Sequence, residues 1–134
     1  LHLSIRRQRQ MCIRDRAGFN PPMITVAIGI DRRLNQAIED SNLIGINILA
    51  EEDARLMKPF NQQDNRSPFD SLELEDNEYE LPQLAEALAF LACKITGKIE
   101  GGDHIVYAAE VVDGVLNDPS RSPMVRVRKN GFQY

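Results

Sequence analysis

Residues 93–115 read Cys93-Lys-Ile-Thr-Gly-Lys-Ile-Glu-Gly-Gly-Asp-His-Ile-Val-Tyr-Ala-Ala-Glu-Val-Val-Asp-Gly-Val115. Two runs rich in branched apolar residues flank Gly101-Gly102-Asp103, a strong turn signal, so the stretch predicts a β-hairpin. The first strand begins near Ala89 and ends near Glu100; the second returns over Ile105–Val115. Just upstream, Ala85–Lys98 is ambiguous. Its alanines and leucines favour helix, whereas Cys93–Ile99 alternates as a strand does. A short helical turn followed by the strand reconciles the two.

Working outward, the run Met23–Ile30 is dense in β-branched residues and predicts a strand behind the rigid Asn20-Pro21-Pro22. Asp31 is placed to cap a short helix that carries Leu34, Ala37 and Ile38 on one face. Ser41-Asn42 marks a turn, and Leu43–Ala50 a further strand with Asn47 as its one strongly polar residue. Glu51–Phe60 reads as helix, and residues 61–80 as an acidic surface excursion with a short strand around Leu72–Leu74. Asp118-Pro119-Ser120 is a turn before a last strand over Pro123–Arg128. Hairpin signals outnumber strand–helix–strand units. The chain is therefore expected to be mainly β, antiparallel, with short helices and about five strands.

Size and charge narrow the function classes. At 134 residues the chain holds one ordinary core. A net charge of −4 argues against a general nucleic-acid binder, though not against a local basic pocket for a phosphate. No apolar run approaches the roughly 20 residues a membrane helix needs. A cytoplasmic setting is the expectation, since two cysteines, Cys12 and Cys93, are too few for a disulfide framework. Cys93 lies in an apolar run and reads as a buried thiol.

Residues 1–16, with five arginines and no clean period, stand apart from the rest. A basic arm and a transit peptide are possible readings, but the segment resembles translated sequencing-adapter sequence. It is expected to be a non-native or disordered extension. Without it one histidine, His104, and one cysteine, Cys93, remain, so a metal site is not expected. No glycine-rich dinucleotide fingerprint, phosphate loop or paired-cysteine motif occurs.

Four features could carry chemistry. His104 follows a tight turn that sets its ring at the mouth of a hairpin; it is either a ligand contact or a partly exposed turn residue. Asn47 must bond to backbone or to a ligand, because an unpaired buried amide costs about 1–3 kcal/mol. Arg32 and Arg33, between a strand and a helix, could take a phosphate or face solvent. Arg126 and Arg128 share one face of the last strand and offer the same pair of readings.

The ordered series of these pieces resembles the flavin reductase family. The matching pieces are Gly18-Phe19-Asn20-Pro21-Pro22, Asp31-Arg32, Ile46–Ala50, Leu56–Phe60, Leu88–Cys93, Gly102-Asp103-His104 and Arg128–Tyr134. Order and spacing look closest to the C-terminal domain of cyanobacterial-type flavodiiron proteins, over residues 17–134. The resemblance implies an FMN-binding split barrel, here a partial domain truncated at its N-terminus. It implies hydride transfer from NAD(P)H to FMN, a homodimer with the flavin near the subunit interface, and upstream flavodoxin-like and metallo-β-lactamase-like di-iron domains. Carried over residue by residue, Asn20, Arg32, Asn47 and Arg128 would contact the cofactor. His104 would position nicotinamide or flavin and not act as acid or base. Two other classes stay open: a non-catalytic flavin- or haem-binding module, and an inactive fragment.

Overall fold

A computed structural model describes residues 18–61 and 67–125; the extension at 1–16 and the basic residues Arg126 and Arg128 lie outside these. The described chain divides into two compact units.

The first unit, which includes residues 18–45 and 91–114, is built on an antiparallel sheet. The strands of that sheet are β1 (Gly18–Phe19), β2 (Pro22–Gly29), β3 (Leu43–Ile48), β6 (Ala89–Gly101) and β7 (His104–Leu116), in the order β1-β2-β7-β6-β3, with Ile46–Ile48, Ala89–Phe90 and Val115–Leu116 counted in the second unit. The hairpin expected from Gly101-Gly102-Asp103 forms with both strands in place, and Gly102 adopts φ +64°, a left-handed conformation that glycine accepts without a steric cost. Alternation fixes the register between β2 and β7. Ile24, Val26 and Ile28 stand opposite Ala109, Tyr107 and Ile105, and this face is the inward one. Ile105, Tyr107 and Ala109 are all buried there.

Helix α1 (Leu34–Ser41) buries Ile38 and ends at Asn42, whose φ of 59° lets its N–H reach the Ile38 carbonyl at 2.7 Å. The expected cap does not form. Arg33 occupies the N-cap position and makes no side-chain cap bond, because a tight Gly29–Arg32 turn has already placed Asp31 outside the helix.

The second unit includes residues 46–61, 67–90 and 115–125. Residues Glu51–Asn61 are helical as expected but wind as 3-10 helix, with Asp53 off helical geometry and Pro59 inside. A carboxylate–guanidinium network holds this segment. Arg121 pairs with the buried Asp53 and, at 2.6 Å, with Glu52, while Arg55 pairs with Glu86. A second 3-10 turn (Pro68–Ser71) brings Phe69 edge-on to Phe60. Strand β4 (Leu74–Glu75) falls beside the short strand expected at 72–74, and pairs with β5 (Gln83–Leu84), which composition did not signal. Where a helical turn was expected at Ala85 there is a tight turn, closed by the Ala87 N–H on the Leu84 carbonyl. The expected last strand is seen at its start, as a bridge between Pro123 and Ala50.

Candidate functional site

The turn after β2 gathers the chemistry of the first unit. The Arg32 N–H donates to the Gly29 carbonyl at 3.0 Å, and the Ile30 N–H donates to the Asp103 carbonyl at 2.9 Å. The turn is thereby tied to the β6–β7 hairpin. Gly29 stands directly opposite His104 in the β2–β7 register. A Cβ on Gly29 would lie 3.1 Å from Asp31 Oδ1, 3.6 Å from Arg32 Cγ and 3.9 Å from its Nε, so the Asp31 carboxylate and the arginine stem both fold back over the glycine. Arg32 and His104 therefore lie at the same end of the sheet.

The same sheet face continues away from them along Ala27 and Thr25 on β2, and along Val106, Ala108, Glu110 and Val112 on β7. Thr25, Ala27, Val106 and Val112 are exposed. Small and branched side chains make this a flat apolar floor.

His104 is half-buried, and its Nδ1 lies 2.7 Å from Asp103 Oδ1. The bond to His104 is the main reason that the Asp103 carboxyl is held below its ordinary value, with a backbone hydrogen bond adding to it. An ionised carboxylate only accepts, so Nδ1 is the donor and Nε2 is the ring atom turned to other partners. Such a ring can orient a ligand without exchanging a proton.

Arg32 and Arg33 are exposed, and neither has an ion-pair partner among the described residues. The Arg32 guanidinium, without an ion-pair partner among the described residues at the end of this floor, suits a planar ring with an anionic tail. In this respect the residues present fit a flavin mononucleotide.

The other expected contacts are placed differently. Asn20 lies in the turn at the opposite end of β2 from Arg32, so the strand's length, roughly 23 Å, separates the two ends. Asn47 belongs to the second unit, and its amide spans backbone: Nδ2 donates to the Pro82 carbonyl at 2.9 Å and Oδ1 accepts from the Leu84 N–H at 2.8 Å. Arg128 lies outside the described residues. Sequence reasoning missed Asn35 and Tyr107, which hold the Gly29–Arg32 turn from behind. Nothing local to either residue signals this, since they are 72 positions apart. Among the described residues no cluster of ligands could hold a metal ion, and no helix is long and apolar enough to cross a membrane.

Comparison with known proteins gives a consistent answer. The family model for the flavin reductase like domain matches residues 16–133. Diflavin flavoprotein A 1 of Synechocystis sp. is 30% identical over 121 residues, covering 88% of this chain and 21% of that protein. The reductase component of a 4-nitrophenol 4-monooxygenase/4-nitrocatechol 2-monooxygenase from Rhodococcus opacus is 34% identical over 93 residues, covering 69% of this chain and 49% of the relative. Among solved structures, the NADH:FAD oxidoreductase of Streptomyces globisporus superposes with a TM-score of 0.73 at 23% identity, over 81% of this chain and 66% of that one. The fold is accordingly the antiparallel split barrel of flavin reductases. The chain spans about a fifth of the length of the diflavin relatives it matches. With the family model covering nearly all of it, this chain belongs to the flavin reductase like domain family.

Proposed function

We propose that this domain binds FMN and passes electrons from NAD(P)H to it, within a longer flavodiiron-type oxygen-reducing protein. One observation carries the reading: a flat, exposed sheet face that ends at Arg32 and His104. Family membership and the diflavin relatives support it. Arg32 would hold the single phosphate, with Arg33 beside it. His104, fixed by Asp103, would set the angle of the nicotinamide or flavin ring. Ala27, Val106 and Ala108 would keep water from one side of the ring. When bound, the flavin supplies the two-electron acceptor chemistry; the chain's share is proximity and orientation.

Asn20 and Arg128 enter this proposal as cofactor contacts on the resemblance alone. Asn47 enters on the same ground, with one Nδ2 proton left over from its backbone bonds. The upstream flavodoxin-like and di-iron domains, a cytoplasmic setting and a homodimer belong to the same reading.

The test is colour. The domain should carry flavin absorbance bands, release FMN on denaturation, and bleach when NADH or NADPH is added without oxygen. A bound flavin that neither nucleotide bleaches would leave a binding module in place of a reductase.

A further inference from the structure

The Gly29–Arg32 turn is held from the buried side of the sheet. Tyr107, 1% exposed, donates its hydroxyl proton to Asn35 Oδ1 at 3.0 Å. Asn35 Nδ2 in turn donates to the Gly29 carbonyl at 2.8 Å, with a longer 3.4 Å contact to the Ile30 carbonyl. Gly29 O also accepts the Arg32 N–H, so both of its lone pairs are engaged. The Asn35 N–H closes the path by donating to the Arg32 carbonyl at 3.1 Å. Four hydrogen bonds thus run from the core residue Tyr107 to the backbone on either side of the Arg32 side chain.

We infer that Asn35 and Tyr107 are positioning residues for Arg32, fixing its guanidinium where a flavin phosphate is taken up. The inference rests on the proposed FMN site and adds two residues to it. Tyr107 points to the inward face of the sheet, and Asn35 works through backbone. Neither is placed to touch the ligand. The strut sets a backbone position whose effect reaches only the phosphate end of a bound molecule, because the ring floor of Ala27, Val106 and Ala108 is carried by the β2–β7 ladder itself.

This separation makes the test specific. FMN and riboflavin share the ring and differ by the phosphate, so the ratio of their dissociation constants, read by flavin fluorescence quenching, reports the phosphate end of the site. The native protein should prefer FMN by about tenfold or more, and Arg32→Ala should remove most of that preference. Tyr107→Phe removes only a hydroxyl and should lose part of the preference. The double variant Asn35→Ala/Tyr107→Phe leaves no buried group unpaired, so it should fold, and it should bring the ratio close to that of Arg32→Ala with riboflavin binding unchanged. A double variant that keeps the native ratio, or that weakens riboflavin as much as FMN, would overturn the inference while leaving the FMN site standing. Should Arg32→Ala keep the native ratio, the site itself is wrongly assigned and the strut falls with it.

Discussion

Cys93 has no exposed surface, and burial pushes its thiol up to about 11 from an ordinary value of 9.0. The thiol form of Cys93 is therefore the one the fold selects near neutral pH. Because the folded value lies above the unfolded one, the contribution to stability is complete below about pH 9. It is lost as pH rises towards 11. In a Cys12→Ser background, an aromatic disulfide reagent at pH 8 should leave the folded protein unlabelled and label one thiol after unfolding in urea. Rapid labelling of folded protein would contradict the burial. The apolar run around Cys93 made this legible in advance. The place of His104 at the hairpin turn was legible too, since a glycine pair before it forces a tight turn, and the neighbour that holds its ring is the adjacent Asp103. Asn47 was legible only in half: an amide among isoleucines must find partners, but Pro82 and Leu84 are more than thirty positions away. No local rule reaches that far.

At the scale of elements, what local chemistry dictates was readable, and what tertiary contacts dictate was not. The β6–β7 hairpin follows from turn residues and strand periodicity, and its ends fall where those signals place them. The Asp31 cap fails because the residues before α1 are taken up by a turn tied to a hairpin more than seventy positions away. Strand β5 was invisible for a related reason. Two residues carry no period, and Gln83–Leu84 is extended because β4 pairs with it and Asn47 receives it. That last contact has a measurable worth. Asn47→Ala would leave the Leu84 N–H without its acceptor in a residue only 4% exposed, and the Pro82 carbonyl without its donor. The cost should be about 1–3 kcal/mol, read as a lower urea midpoint at unchanged slope. Asn47→Asp keeps the acceptor and loses the donor, so its midpoint should fall between the two. An unchanged midpoint for Asn47→Ala would mean that the segment 82–84 is held by something other than this amide.

For the molecule as a whole, the sheet face that ends at Arg32 and His104 raises the question of what covers the rest of it. Beyond the ring floor of Ala27, Val106 and Ala108, Thr25 and Val112 share that face with Glu110, its one charged residue along this stretch of β2 and β7. Val106 and Val112 are 36% and 40% exposed. A patch almost free of charge can meet its own copy across a two-fold axis without like charges being forced together, which a face studded with one sign cannot do. The proposed homodimer therefore has a natural seat here, and the net charge of −4 keeps the remaining surface from associating at random. Val112 lies eight residues along β7 from His104, roughly 26 Å, so a change there tests assembly apart from ligand contact. Sedimentation at tens of micromolar should show a dimer for the native chain. Val112→Glu would bury an unpaired carboxylate in that seam and should weaken association by more than roughly tenfold, giving monomers with unchanged far-ultraviolet circular dichroism. If the native chain sediments as a monomer, or if Val112→Glu remains a dimer, this face is not the seam. The ring floor would then have to be closed by the bound nucleotide or by the upstream domains proposed above.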